Sequence, residues 1–229
     1  MKAVEPQPVP STLRFDPGRS EVEAYIDLQL RLVGLTIDDV MDELNPLYHS
    51  LARQFLSMRN RYFTDEGAAV FRLAHNVQLT IFLYKLSRGL FLAGRRLDAD
   101  RVYSLLRIVS SVDLYYEVEL PELWACDHPL GSVIGRGRFA REATLFFAQN
   151  CNVGNNRGTY PRIQGNLHMF ANSSLLGDTG VSGNVVLANG ACAVDAGVLS
   201  DCIVFGRSPE LVIKPLSADG FREISLFAI

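Results

Sequence analysis

A period of six residues runs through the second half of the chain and restricts its fold more than any other feature. Aliphatic or small residues recur at every sixth position, namely Val133, Phe139, Leu145 and Cys151, then Ile163, Met169, Leu175, Val181, Leu187, Ala193, Leu199 and Phe205. Position 157, an arginine inside the segment NNRGTYP, interrupts the series. Neither an α-helix nor an ordinary amphipathic strand has this period, whereas repeat architectures do. The period therefore predicts a solenoid with one short, flat strand per repeat.

Three such repeats would close a triangular coil of 18 residues. The recurring side chains would fill the narrow interior, and small residues would allow the tight corners. Residues 18 apart would lie above one another, which predicts that His168 stacks on Asn150 and that Glu142, Tyr160 and Asp178 form a second stack. The repeats from 133 to about 210 predict roughly four coils. A β-sandwich is the alternative, but it does not explain the constant spacing.

The first half of the chain follows a different pattern. Residues 1–117 contain 5 of the 18 glycines and 29 charged residues, whereas residues 118–229 contain 13 glycines and 18 charged residues. Apolar residues at helical spacing predict helices over about 20–35, from 36, over 64 to about 93, and from about 98. Ser20 and Glu23 have the spacing of a capping box, and a Pro-rich leader (Pro6, Pro8, Pro10) precedes them. We expect a helical domain over 1–117, the solenoid over 118–215 and a C-terminal tail over 216–229.

Composition excludes several classes of protein. Hydrophobic residues make up 48%, charged residues 21%, and the net charge is −3, which argues against a disordered chain and against a basic nucleic-acid-binding protein. The four cysteines form no CxxC pair, and no apolar signal segment begins the chain, so we expect a reduced cytoplasmic protein. Charged residues and a histidine interrupt the apolar segment 70–92, which predicts a buried packing helix. A helix lying on a membrane surface is the alternative for this segment.

Several motifs of the second half resemble those of one enzyme family. The segments are DHPLGSVIG at 127–135, QNCNVGNN at 149–156, RGTYPRI at 157–163, MFANSS at 169–174 and FGRSP at 205–209. Together they resemble the hexapeptide-repeat acyltransferases, and most of all the serine acetyltransferase-like branch, whose catalytic histidine lies in a D-H-x-x-G-x-x-x-G motif. The resemblance implies an α+β fold, in which an N-terminal α-helical domain is followed by a left-handed parallel β-helix.

Two positions depart from the serine acetyltransferases. In that family an arginine and a second histidine hold the carboxylate of the amino acid, whereas Thr159 and Tyr160 occupy the matching positions here. Without the arginine a serine carboxylate would lose its bidentate partner. The segments HPLGSVIG and VFGRSP are more similar to O-acetyltransferases of polysaccharide synthesis. This resemblance implies transfer of acetyl from acetyl-CoA to a sugar hydroxyl of a bacterial surface polysaccharide or its precursor.

The resemblance also implies which residues form the site, with His128 as general base. Histidine suits this role because its charge changes near neutral pH, and a carboxylate would stabilise the imidazolium that forms. Asp127 and Glu119 are the carboxylates that we predict for it, with Glu122 as a further candidate. The residues implied for coenzyme binding are Gly154, Asn155, Asn156, Ala171, Asn189, Arg207 and Lys214, and those for the acceptor are Tyr160, Glu142, Asn150 and His168; no metal is implied.

The sequence also allows alternatives, both for the roles of single residues and for the activity. His128 could merely cap the first coil, His168 could lie at a solvated corner, and Asn155 and Asn156 could be turn residues with positive φ. We expect acetyl-CoA and a sugar-containing acceptor as partners and no nucleic acid, in a homotrimer or a dimer of trimers with peripheral membrane contact as an option. The alternative activities are a divergent serine O-acetyltransferase, a sugar N-acetyltransferase and a catalytically inactive scaffold.

Overall fold

Four helices and a small sheet form the first part of the chain. In the computed structural model, which describes residues 13–228, the helices are α1 (Arg19–Arg31), α2 (Met41–Leu56), α3 (Asn76–Leu92) and α4 (Arg96–Ser110). Their apolar faces meet in a core that buries Phe55 and Phe82 completely. No helix within residues 13–228 is both long enough and apolar enough to cross a bilayer. The predicted Pro-rich leader (Pro6, Pro8, Pro10) lies outside the described residues.

The first helix begins close to the predicted residue but without the predicted cap, and the second begins later than predicted. The capping box of Ser20 and Glu23 is wrong: α1 begins after Gly18, the Ser20 hydroxyl donates to Glu21, and Glu23 accepts from Arg19 at 2.8 Å. The helix predicted from Thr36 begins later: the backbone N–H and the hydroxyl of Thr36 both donate to the Asp39 carboxylate, at 2.7 and 2.8 Å, but α2 itself begins at Met41. A single 3₁₀ turn at Asp38–Val40 then leads into α2.

A β-hairpin replaces the first turns of the helix predicted from residue 64. Strands β2 (Thr64–Asp65) and β3 (Ala68–Arg72) pair antiparallel, and β1 (Arg14–Asp16) joins β3 in parallel. Glu66 and Gly67 connect the hairpin strands with φ of 49° and 80°, the left-handed pair that a two-residue hairpin turn requires. The short apolar run in β3 suits a buried strand as well as a helix, so its period alone could not separate the two.

The second part of the chain is a parallel β-solenoid of three faces. The first face stacks β4 (Leu123–Cys126), β7 (Thr144–Phe147), β10 (Asn166–Met169), β13 (Asn184–Leu187) and β16 (Cys202–Arg207); the second stacks β5 (Val133–Ile134), β8 (Asn152–Gly154), β11 (Ser174–Leu176) and β14 (Cys192–Val194); the third stacks β6 (Arg138–Phe139), β9 (Arg162–Ile163), β12 (Thr179–Val181) and β15 (Gly197–Leu199). Each coil therefore contributes one strand to each face, which confirms the predicted solenoid of about four turns.

The predicted 18-residue offset between coils holds only in the later coils. Leu167 pairs with Val185, eighteen residues on, but Leu145 pairs with Leu167, twenty-two residues on. The longer second coil contains the loop 155–161, which lies between β8 and β9. The repeat therefore persists through this coil without fixing which residues lie above one another.

The longer coil overturns the stack of His168 on Asn150 and the place of Glu142 below Tyr160, whereas the 18-residue register from Tyr160 to Asp178 is kept, since Arg162 pairs with Gly180. His168 pairs with Phe146, whereas the Asn150 side chain donates to the Asn172 side chain at 3.1 Å. Arg138 pairs with Arg162 twenty-four residues later, so Glu142 does not lie below Tyr160. At the ends of the solenoid, Val133 is 42% exposed and Phe205 37% exposed. Ile134 fills the interior of the first coil in place of Val133.

The C-terminal residues return from the last coil to the helices. Strand β17 (Glu210–Pro215) pairs antiparallel with β16, and helix α5 (Ala218–Ile224) follows. The backbone N–H of Arg59 donates to the carbonyl of Leu226 at 2.7 Å, and that of Ala228 donates to Ser57 at 2.9 Å. The segment predicted as a tail thus pairs with the end of α2. The domain boundary near 118 falls between the end of α4 and the start of β4 and stays a prediction.

Candidate active site

The solenoid has three corners, and the predicted site residues are distributed over all of them. The first corner joins the first face to the second and comprises 127–132, 148–151, 170–173 and 188–191; the second corner comprises 135–137, 155–161, 177–178 and 195–196; the third comprises 140–143, 164–165, 182–183 and 200–201. Asp127, His128, Asn150, Ala171 and Asn189 lie on the first corner. Gly154, Asn155, Asn156 and Tyr160 lie at the second, and Glu142 lies on the third. One chain therefore does not bring all these residues together.

Asp127 and His128 lie side by side where the first coil leaves β4. One carboxylate oxygen of Asp127 is 3.7 Å from Nε2 of His128, and the two side chains are 60% and 81% exposed. The backbone N–H of Asp127 donates to Phe147 of the coil above at 3.1 Å, and His128 has a positive φ of 45°. Asn150 and Asn172 have positive φ at the same corner of the next two coils, at 53° and 62°, so this left-handed residue belongs to the corner geometry of the solenoid. The imidazole is thus presented to solvent with a carboxylate next to it.

A cleft of about 460 Å³ lies between His128 and the helical part of the chain. Its walls come from residues 58, 60, 62 and 63, from 74–77, from 125–128 of the first coil, and from Leu226 near the C-terminus. His75 faces this cleft as the N-cap of α3, where its Nδ1 accepts from the backbone N–H of Gln78 at 3.4 Å. Burial lowers the pKa of His75, and the Asp127 carboxylate partly opposes that shift. The cleft therefore contains two imidazoles and one carboxylate.

Ala171 and Asn189 continue the first corner above His128. The backbone N–H of Gly190 donates to the carbonyl of Ala171 at 3.0 Å, which aligns these two coils. Asn189 is exposed and Ala171 half-buried. Because β16 runs from the first face to the second, Arg207 at its end pairs with Cys192 close to the same corner. The first corner thus forms a straight line from His128 towards Arg207.

The loop 155–161 is a tight turn with its own internal bonds. Asn156 and Thr159 exchange two backbone hydrogen bonds, at 3.1 and 3.0 Å, around Arg157 and Gly158. The positive φ values belong to Arg157 (50°) and Gly158 (86°), so the prediction that Asn155 or Asn156 adopts one is wrong. Instead, the Asn155 side chain accepts from the N–H of Gly158, at 3.2 Å. The Asn156 side chain donates to the Asp195 carboxylate at 2.6 Å. Both amides therefore hold the loop in place.

Glu119 lies in a different cleft from His128. Its carboxylate is 3.1 Å from the guanidinium of Arg88, and it lines a cleft of about 480 Å³ together with Arg136, Arg138 and Tyr160. Within one chain Glu119 therefore does not lie beside His128, contrary to the prediction that it supports this histidine. Glu122 is likewise occupied, because Arg141 lies 3.3 Å from its carboxylate.

His168 and Glu142 occupy structural or separate positions. The ring of His168 is 4% exposed and lies 4.1 Å from the Phe146 ring and 4.8 Å from the Phe170 ring. Burial lowers the pKa of His168 to about 4, so the ring is neutral at pH 7. This position does not suit an acceptor-binding residue. Glu142 is exposed and lines a cleft of about 380 Å³ beside Arg53.

The remaining candidates carry positive charge or sulfur. Lys214 lies on β17 with its ammonium 5.4 Å from the centre of the Phe205 ring. The four cysteines are free thiols, and burial raises the pKa of Cys126, Cys151 and Cys202. No group of three or more His, Cys, Asp or Glu side chains within residues 13–228 is arranged to hold a metal ion.

Some residues of this site were missed by sequence analysis. Asn60, Tyr62 and His75 line the cleft of His128, although more than fifty residues separate them from it in the chain. Asp113 adjoins the other side of the same loop, because its backbone N–H donates to Ser132 at 2.9 Å and its carboxylate accepts from Tyr103 at 2.6 Å. No spacing rule connects these residues to the DHPLG segment, so only the folded chain reveals them.

Known proteins resemble this chain in fold and not detectably in sequence. No protein-family profile and no curated protein sequence matches this chain. Among solved structures, serine acetyltransferase in complex with coenzyme A from Brucella abortus strain S19 has a TM-score of 0.63 at 17% identity, and the match covers 88% of this chain and 85% of that one. The serine acetyltransferase of Vibrio cholerae gives 0.62 at 14% identity (90% and 83%), and that of Neisseria gonorrhoeae gives 0.60 at 18% (90% and 84%). The predicted fold class, a helical region followed by a left-handed parallel β-helix, is thereby confirmed.

Proposed function

We propose that this chain is an acetyl-CoA-dependent O-acetyltransferase with His128 as its general base. The observation that carries the proposal is the exposed imidazole of His128 with the Asp127 carboxylate 3.7 Å away, at one end of an open solenoid corner. The coenzyme A complex among the structural neighbours supports acetyl-CoA as the acetyl donor. Asp127 acts through His128, because its negative charge stabilises the imidazolium.

Acetyl transfer from a thioester to a hydroxyl requires a base, an oriented thioester and hydrogen-bond donors to the oxyanion. His128 takes the proton of the acceptor hydroxyl as the hydroxyl oxygen attacks the thioester carbonyl. The tetrahedral intermediate then collapses, the carbon–sulfur bond breaks, and the imidazolium returns the proton to the sulfur of coenzyme A. The products are the acetyl ester and free coenzyme A. Backbone N–H groups near the thioester are the natural donors to the oxyanion.

The first corner offers a track for the coenzyme. Neighbouring coils are about 4.8 Å apart, so three steps along the corner separate His128 from Asn189 by about 14 Å. An extended pantetheine arm is of comparable length. Ala171 leaves room for it beside the corner, and Asn189 offers an amide to its peptide groups. Arg207 and Lys214 lie farther along and would meet the negatively charged phosphates.

We further propose that the complete site forms between copies of the chain in a homotrimer. The residues of the second corner, Gly154, Asn155, Asn156 and Tyr160, lie away from His128 within one chain. A neighbouring copy whose second corner packs against the first corner would bring the loop 155–161 to the coenzyme track. Tyr160, which is exposed, would then face the acceptor. The helices could join two trimers, as the dimer-of-trimers prediction requires.

For the acceptor we propose a sugar hydroxyl, with serine as the second candidate. Thr159 and Tyr160 replace the arginine and histidine that bind an amino-acid carboxylate in the resembling family, which favours a sugar. The structural neighbours favour serine, because those compared above are all serine acetyltransferases. A sugar amine in place of the hydroxyl would need the same base and the same donor site.

The test is the release of free thiol from acetyl-CoA by the purified chain. The assay compares L-serine with methyl glycosides and amino sugars, and mass spectrometry identifies the acetylated product. We expect acceptor-dependent release, with an ester as product. Calorimetry with coenzyme A provides a second readout that does not need the acceptor. A chain that neither binds coenzyme A nor releases thiol would be a scaffold, and the proposal would be wrong.

A further inference from the structure

We propose that the cleft between His128 and the helices is the acceptor site, and that it takes a neutral saccharide unit without a carboxylate. This inference rests on the proposed acetyl transfer at His128. It adds the location of the acceptor, a carboxylate, Asp127, that disfavours amino acids, and a hydrogen-bonding residue, His75, that contacts the acceptor. The cleft volume of about 460 Å³ lies within the range of small-molecule sites.

The charges around the cleft favour an uncharged acceptor. Among the residues of 13–228 that line the cleft, Asp127 is the one formally charged group. Arg61 and Arg72 lie behind the walls, where Arg61 donates to the Tyr62 hydroxyl at 3.0 Å and the charge of Arg72 helps to lower the pKa of His75. A carboxylate entering the cleft would therefore meet the carboxylate of Asp127 with no cation among the lining residues to pair with it directly. Hydroxyl groups have no such conflict, because a carboxylate accepts hydrogen bonds from them readily. The lining thus discriminates against serine by its carboxylate.

His75 supplies a donor that is already oriented. Because Nδ1 accepts from the backbone of Gln78, the neutral ring carries its proton on Nε2. Burial keeps the ring in this neutral form by lowering its pKa. The ring also contacts the aromatic rings of Tyr62 and Phe63, whose centres lie 5.5 and 5.3 Å away, so its orientation is restricted. His75 can therefore donate from Nε2 to a ligand oxygen in the cleft.

The neighbouring side chains complete a surface that suits a sugar ring. Asn60 uses its carbonyl oxygen to accept from the N–H of Tyr62 at 3.0 Å, which leaves its amide N–H groups as donors. Tyr62 is 46% exposed and offers an apolar edge to the C–H groups of a pyranose. Leu226 closes the cleft from the C-terminal side. Donors, one acceptor carboxylate and an aromatic edge are the groups that recognise a polyhydroxylated ring.

The test uses a His75 variant that keeps the helix cap. In His75→Asn the side-chain oxygen can still accept from the first turn of α3, since Asn is a good N-cap, but the Nε2 donor is gone. The matched control is His49→Asn, because His49 is exposed on α2. We expect His75→Asn to raise the acceptor KM about tenfold, the loss of one good hydrogen bond, with the acetyl-CoA KM changed less than twofold. We expect His49→Asn to leave both constants unchanged.

Binding gives a readout that does not depend on turnover. The protein with ¹³C-labelled histidines is titrated with methyl glucoside, methyl galactoside, methyl mannoside and N-acetylglucosamine, and separately with L-serine, while the His75 and His128 ring signals are followed by NMR. A shift of both signals with a glycoside and none with serine supports the inference. Shifts with serine alone, no shift with any glycoside, or an acceptor KM of His75→Asn equal to that of His49→Asn would overturn it. If the wild-type protein acetylates serine and His75→Asn does so with the same kinetic constants, this inference is wrong, whereas the proposed acetyl transfer at His128 still stands.

Discussion

The Asp127 carboxylate lies 3.7 Å from Nε2 of His128, and both side chains are mostly exposed. An exposed pair of this kind contributes little to stability, because water screens the two charges. Its value would lie in catalysis, where the imidazolium forms only during the reaction. We therefore expect Asp127→Asn to lower kcat about 10- to 100-fold, a part of the 10²–10⁴ that general-base catalysis supplies. Steady-state kinetics, with thermal unfolding to confirm an unchanged fold, measures this.

The control for that prediction is Asp113→Asn. Asp113 lies beside the same loop, but its carboxylate accepts a 2.6 Å hydrogen bond from Tyr103. We expect this variant to be less stable by about 1 kcal/mol, since it weakens this partly buried hydrogen bond. We also expect it to lose less activity than Asp127→Asn. A larger loss of kcat for Asp113→Asn would show that Asp113 is the carboxylate that supports His128.

The loop 155–161 depends on one side-chain bond to a distant coil. Asn156 donates to Asp195 at 2.6 Å, and the other oxygen of Asp195 accepts from the backbone of Asp178 at 2.7 Å. We expect Asn156→Ala to loosen the loop, so that trypsin cleaves after Arg157 several times faster at unchanged melting temperature. Mass spectrometry of timed digests measures the rate. Asn155→Ala is the comparison, since its bond stays within the turn; equal rates for wild type and Asn156→Ala would contradict the tether.

A buried lysine in the helical part gives a stability that rises with pH. The Lys85 ammonium donates to Ser50 at 3.0 Å, and burial lowers the pKa of Lys85 to about 8, with Glu122 partly opposing the shift. The unfolded chain holds this proton up to about pH 10.4, so between these values it binds more protons than the folded chain. The free energy of unfolding should therefore rise from about pH 8 upwards, by at most about 1.4 kcal/mol per pH unit.

The measurement is urea unfolding at pH 7.5, 8.5 and 9.5. We expect Lys85→Met to remove the rise and to be more stable than wild type at pH 7.5, because it no longer buries a charge. Lys214→Met is the control, since Lys214 is exposed. A rise of equal size in Lys85→Met and wild type would assign the effect to other groups.

The buried ring of His168 makes the free energy of unfolding depend on pH in the acidic range. Its pKa is lowered to about 4, whereas an unfolded histidine titrates near 6.5. As pH falls between these values the unfolded chain binds more protons, so stability is complete above pH 6.5 and decreases towards pH 4. From pH 6.5 to 5 the loss should be about 1.6 kcal/mol.

His168→Phe isolates this contribution. The ring of Phe fits between Phe146 and Phe170, so we expect stability at pH 7 to stay within about 1 kcal/mol of wild type and the decrease towards pH 5 to become smaller. Denaturant unfolding at pH 7, 6 and 5 measures the difference, with His49→Asn as the exposed control. An unchanged decrease in His168→Phe would mean that other groups, such as His75, dominate the acid limb.

The repeat of the second half could be predicted from the sequence because every coil imposes the same demand on its interior. Which residue of a given coil points inward, and which residues of neighbouring coils lie above one another, could not be predicted in the same way. Ile134 rather than Val133 fills the first coil, and the loop 155–161 lengthens the second, so the residues above Asn150 and Glu142 differ from those predicted. In the first half, the Glu66–Gly67 turn converts an apparent helix start into a hairpin. Turn geometry and insertion length, which a hydrophobic period does not record, explain these differences.

The sequence could predict only those residues of the candidate site that lie next to each other in the chain. Asp127 and His128 are adjacent in sequence, so a motif could identify them and the structure places them together. The predicted position of Glu119 beside His128 is not found, because Arg88 of helix α3 holds its carboxylate in another cleft. His75 and Tyr62 reach the cleft through the packing of the helices and the C-terminal segment on the first coil. Contacts of this length in sequence leave no spacing pattern.

The most direct test of acetyl transfer at His128 is the turnover of acetyl-CoA by His128→Ala. With the best acceptor found for wild type, we expect kcat to fall about 10²–10⁴-fold, while the affinity for coenzyme A measured by calorimetry stays within a few-fold. His49→Ala should behave as wild type. Turnover by His128→Ala equal to that of wild type, with coenzyme A still bound, would contradict the assignment of His128 as the general base.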